Sequence, residues 1–111
     1  MAFTTLDPGR LTARLTLEAA DDLDDGQGGV VPGWAAVTSL WGLVEPLAAR
    51  PGEEADASTV TVTHRVTVRF RDDVSSAMRF GFRGRRLMIR AVRDPDEGRR
   101  YLVCECEEEG R

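Results

Sequence analysis

Lysine is absent from this chain, and all 15 of its basic residues are arginine. Such a bias fits a GC-rich coding sequence in part and carries no functional argument alone. Histidine occurs once, at His64, and cysteine twice, at Cys104 and Cys106. Side chains two apart on a strand share a face, which suits neither a disulfide nor a metal cage. A zinc site needs four ligands, or three and a water, at tighter paired spacing. No metal is therefore expected, and the cysteines read as small apolar side chains on a strand. No apolar run approaches the roughly 20 residues of a membrane helix. The opening "MAFTTLDPGR" has neither a basic stretch nor an apolar run behind it, so no signal peptide and no membrane contact are expected. There is no G-x-S-x-G, no phosphate-cradling glycine loop and no second histidine. Neither an enzyme nor a cofactor is expected.

What the chain does have is alternation. In "VTVTHRVTVRFR", residues 60–71, Val60, Val62, Val66, Val68 and Phe70 occupy one register and threonines and arginines the other. "LTARLTLEA" repeats the pattern with Leu11, Ala13, Leu15, Leu17 and Ala19. Shorter runs come next in "AMRFGFR", "RRLMIRAVRD" and "RRYLVCECEEE", separated by the brief turns "RDDVSS", "RGR" and "DPDEG". The segment "WAAVTSLWGLVEPL", residues 34–47, has both helical and strand spacing. Gly42, Pro46 and the β-branched and aromatic content favour a strand, bulged somewhere along its length. Six strands in 111 residues predict one domain, 1–111: an all-β, small antiparallel barrel or sandwich with two long acidic loops.

The first loop, residues 21–33, carries Asp21, Asp22, Asp24 and Asp25. It fails as a calcium loop: counted from Asp21, Leu23 stands at position three and Pro32 at position twelve, where a ligating glutamate belongs. The second, residues 48–58, carries Glu53, Glu54 and Asp56. Charge is segregated along the chain. Residues 1–60 hold ten acids and three arginines, and residues 61–103 hold eleven arginines and five acids. Acidic and basic patches on one small body favour head-to-tail contacts between copies or partners.

His64 interrupts the apolar register mid-strand, whereas catalytic groups gather at loops and strand ends. It reads as a core or interface histidine whose hydrogen-bond acceptor is a loop carbonyl or a side chain of the 34–47 segment, such as Thr38 or Ser39. Its replacement by alanine should destabilise the fold. Arg65, Arg69 and Arg71 share the opposite face, with Arg79, Arg83, Arg85, Arg86 and Arg90 on neighbouring strands. Arg65 reads as a rim charge whose reversal would block assembly and leave the monomer folded. A basic stripe on a barrel can also bind nucleic acid, the competing reading. Single-strand binders stack bases on exposed aromatics, though, and Phe70, Phe80 and Phe82 lie in the core register.

The ordered series "L-x-x-G-R-L", a Gly/Asp-rich loop, "W-x-x-V-x-x-L-W-G-L-V-E-P-L", "T-H-R-V-T-V-R-F-R", "M-R-F-x-F-R-G-R-x-L-M-I", "V-x-D-P-D-E-x-R-R" and "L-x-C-E-x-E" resembles one known family. These are the phage head–tail joining proteins, also called head-closure or stopper proteins, of long-tailed phages and gene transfer agents. The resemblance runs from about Leu6 to Glu107. It implies a β-barrel in a homo-oligomeric ring of six or twelve subunits, a virion component made in the bacterial host cytoplasm. The ring would lie below the portal or adaptor protein, meet a tail terminator or tail tube protein on its other side, and let DNA pass through its channel. The family's recurrent positions fall on Trp34, Trp41, Glu45, Pro46, His64, Arg65, Arg69 and Arg71, with Trp34, Trp41 and His64 in structural roles. Gly42 departs from the family, which more often has alanine there.

Overall fold

The computed structural model describes residues 7–51 and 61–110, with side chains from 49 to 51 left aside. It opens with a 3-10 turn, Pro8–Arg10, in which the Asp7 carboxylate accepts the Gly9 amide at 2.9 Å. Eight strands come after it: β1 (Ala13–Ala20), β2 (Leu23–Asp24), β3 (Val30–Val31), β4 (Trp34–Pro51), β5 (Thr61–Arg69), β6 (Met78–Phe82), β7 (Arg85–Arg93) and β8 (Tyr101–Glu108). Six of them close an antiparallel barrel in the order β1-β4-β5-β8-β7-β6, and β6 returns to β1. Strands β2 and β3 pair with each other. The expected all-β barrel is the observed one.

Period-two alternation builds the core. Leu15 and Leu17, Val66 and Val68, Met78, Phe80 and Phe82, Leu87 and Ile89, and Leu102, Cys104 and Cys106 all point inward from their strands. The tight β6–β7 turn is Arg83-Gly84, both at positive φ (53° and 77°). That pair of left-handed residues matches the twist of the strands that it joins.

β4 is long enough to serve two neighbours. Its first half pairs with β1 and its second with β5. Leu17 lies opposite Thr38 and Glu18 opposite Ala36, so Val37 is the extra, bulged residue that the sequence pattern demanded. The bulge sets the phase for the rest of the strand. Leu40 and Val44 pack on the core, while Trp41 stands 52% exposed on the outer surface. Trp41, expected in a structural role, thus lies outside the core. A second irregularity falls between Pro46 and Arg50, where proline has no amide to give to the ladder.

Gly42 sits at the handover from β1 to β5. A Cβ there would lie 2.6 Å from Leu15 Cδ1 and 3.1 Å from the Thr67 carbonyl oxygen. The departure from alanine thus matches a core with no room for a methyl group.

Both long loops are shorter than expected. The first contains the β2–β3 hairpin. The second starts late, because β4 runs on to Pro51. Glu53, Glu54 and Asp56 lie outside the described residues.

Candidate assembly interface

His64 is 5% exposed, with Pro46 of β4 on one side and Cys106 of β8 on the other. Its Nε2 lies 3.1 Å from Arg85 Nη2, and its Nδ1 lies 2.9 Å from Thr63 Oγ1. A guanidinium can only donate, so Nε2 accepts and Nδ1 carries the proton toward Thr63. The same hydroxyl accepts the Glu108 amide at 2.8 Å. Arg85 forks onto the Glu108 carboxylate with two bonds of 2.8 Å, which raises the guanidinium pKa further. The inward histidine is thus the centre of a network tying β5 to β7 and β8. Its partners are not Thr38 and Ser39: those pair with Leu17 and Thr16 of β1, in the other half of β4.

The arginine face is mostly engaged within the barrel. Arg65 lies between Glu45 of β4, 4.0 Å away, and its cross-strand partner Glu105 of β8. Arg93 of β7 reaches Glu105 at 3.4 Å. Glu105 is only 4% exposed, so this row of alternating charge crosses four strands around a buried carboxylate. Arg65, expected at the rim, keeps a third of its side chain exposed and has acidic neighbours on both sides. Arg79 is buried: its Nε meets Glu18 at 2.6 Å, its Nη1 meets Glu109 at 3.2 Å, and it lies 4.1 Å over the Trp34 ring. Arg90 pairs with Glu107 at 3.0 Å. Arg71 lies beyond the end of β5 and forks onto Asp73, whose carboxylate it holds below its usual range. Segregation along the sequence becomes pairing in space, because β8 brings the C-terminal glutamates beside the arginine-rich strands.

Among the described residues, two surfaces carry exposed apolar side chains that a partner could cover. One is the β2–β3 hairpin, which prolongs the β1–β4 ladder through the Asp21 amide bonded to the Gly33 carbonyl at 2.8 Å. Asp24 and Asp25 shape its tip by accepting the Gly26, Gln27 and Gly29 amides. Leu23, Val30 and Val31 are 56%, 67% and 48% exposed. The other is a groove of about 670 Å³ where β1 begins and β5 ends, lined by Leu11, Leu40, Trp41, Phe70, Arg69 and Arg71 among others. Phe70, read as core, is half-buried and forms part of this wall. The structure thus groups Arg69, Arg71 and Trp41 at the groove and the four aspartates at the hairpin, and sets Arg65 and His64 apart. The apolar hairpin escaped sequence reading because its acids dominate the composition. The signal was Leu23, Val30 and Val31 flanking a Gly-rich turn.

Among the described residues no cluster of His, Cys, Asp or Glu could hold a metal, and no helix is long and apolar enough to cross a membrane. Burial pushes both thiols up, Cys104 to about 12. The described residues thus form a closed barrel with internally paired charge, an exposed apolar hairpin and an open groove. The sequence profile of the phage head completion proteins matches residues 6–109, and the chain belongs to that family. It is similar to protein SF1141 from Shigella flexneri 2a, known from a solution structure, at 26% identity and TM-score 0.70 over 96% of this chain and 99% of that one. It is also similar to a chain in the virion of a native gene transfer agent particle, at 30% identity and TM-score 0.62 over 89% of this chain and 96% of that one. No curated protein matches it. Family and particle place the chain in the virion, as a structural component of the head.

Proposed function

We propose that the protein forms a ring beneath the portal or adaptor, closes the DNA-filled head and presents the docking surface for the tail. The observation that carries this reading is the match, at 30% identity and over 96% of its length, to a chain of an assembled gene transfer agent virion. The barrel supports it physically. Its core and charge network make a rigid body, and its open surfaces lie at separate places, as a heterologous ring requires. The head-side partner is the portal or adaptor, and the tail-side partner is a terminator or tube protein. Six or twelve copies fit the symmetry of such a junction. Electron microscopy of particles lacking the gene tests the proposal. Filled heads without tails, or heads that have lost DNA, are expected. Tailed, DNA-filled particles in normal number would refute it.

A further inference from the structure

The hairpin and the groove complement one another. The hairpin offers exposed Leu23, Val30 and Val31 amid Asp21, Asp22, Asp24 and Asp25. The groove offers an apolar floor from Leu11, Leu40 and Phe70, with Trp41 and the guanidinium group of Arg69 beside it, and Arg71 already forked onto Asp73. Arg14 lies 4.9 Å over the outward Trp41 ring and adds a third cation beside it. An isolated two-stranded hairpin is marginally stable in water, so one that carries apolar side chains into solvent gains most from a covering surface.

Within one chain the two cannot meet. The groove lies at the start of β1 and the hairpin continues from its end. Eight residues of strand separate them, about 25 Å at about 3.3 Å per residue. The hairpin prolongs the ladder away from the groove, not back toward it. Such a pair satisfies itself only between copies, head to tail, and a head-to-tail contact makes a ring when its rotation closes. We propose that the β2–β3 hairpin of each copy seats in the groove of the next copy, its aspartates facing the groove arginines. The proposal rests on the ring reading above and names the contact that holds the ring.

Disulfide trapping tests it, because the native thiols are buried and therefore silent. Val30→Cys places a thiol on the exposed hairpin and Thr12→Cys places one at the exposed edge of the groove. Purified particles carrying the double variant should give a ladder of dimers and higher oligomers on oxidation. Each single variant should give none. Adding Asp22→Arg to the double variant should abolish the ladder by setting arginine against Arg69. If the chain is present in the particles and the double variant gives no ladder, the contact is wrong while the ring reading stands. A dimer from Val30→Cys alone would mean that hairpins pair with each other, which also overturns it. If the chain is missing from the particles, the functional reading falls. The same trapping on the concentrated, folded purified protein then decides the contact by itself, a ladder supporting it and its absence refuting it.

Discussion

Gly42 shows how one atom can fix a core. The backbone passes there between Leu15, Thr67 and Val68, and any Cβ would come within 2.6 Å of a leucine methyl. Gly42→Ala should therefore destabilise the barrel by about 1–3 kcal/mol, the usual range for overpacking a filled interior. Thermal melting checks it, and a variant as stable as the parent would mean that Leu15 repacks freely. His64 is the polar counterpart. Its removal deletes one hydrogen bond to Arg85 and one to Thr63, which keep their bonds to Glu108, and leaves a cavity between Pro46 and Cys106. His64→Ala should cost about 1–3 kcal/mol, mostly for the lost packing of a buried side chain. If it melts like the parent yet abolishes tail joining, the ring is a contact residue. Burial of His64 was legible from its register alone. Its partners were not, since they come from β5 itself and from β7, and register across a barrel depends on pairings that alternation cannot specify.

At the scale of elements, alternation located the six barrel strands because each places its apolar side chains on the core face, so period two survived in the sequence even where β8 is buried on both faces. Its failures lie in β4 and β8. β4 has a bulge and a proline, and these change which face points inward, so Trp41 came out on the surface. β8 was legible as a strand, but the role of its glutamates and Glu109 as the counter-charges of β6 and β7 was not. This strand carries two expectations. Cys104 and Cys106 face the core with pKa values pushed up by burial, so alkylating reagents should leave both intact at pH 8 in the folded chain. Both should react once denaturant is added, and mass spectrometry counts the labels. Fast labelling of the native protein would mean that β8 opens. Arg65→Glu would place a third carboxylate between Glu45 and the buried Glu105. It should lower stability by about 1 kcal/mol at most, since repulsion among side chains a third exposed is screened by water and Glu105 keeps its pairing with Arg93. Charge alternation alone suggested a folded but assembly-deficient variant. The neighbouring carboxylates add a cost to the fold itself, and melting in parallel with incorporation into particles distinguishes loss of fold from loss of assembly.

For the whole molecule, the balance of charge bears on how DNA would pass a ring of such barrels. The chain has a net charge of −4, and its arginine-rich strands are neutralised from within by Glu18, Glu45, Glu105, Glu107, Glu108 and Glu109. A guanidinium already forked onto a carboxylate must give up that bond before it can meet a phosphate. The counterion release that drives DNA binding is then largely offset. A channel component that gripped DNA would also oppose its exit. The purified chain should therefore bind neither duplex nor single-stranded DNA measurably at physiological salt. Any binding at low salt should be weak, and unchanged when Arg65, Arg69 and Arg71 are replaced together by glutamine. Fluorescence anisotropy with labelled oligonucleotides across a salt series measures this. Micromolar binding at physiological salt that falls steeply with added salt and disappears in the triple variant would show that the arginine face is free to meet phosphate. The internal ion pairs would then be too weak to hold it, and the chain would act on DNA directly instead of only surrounding it.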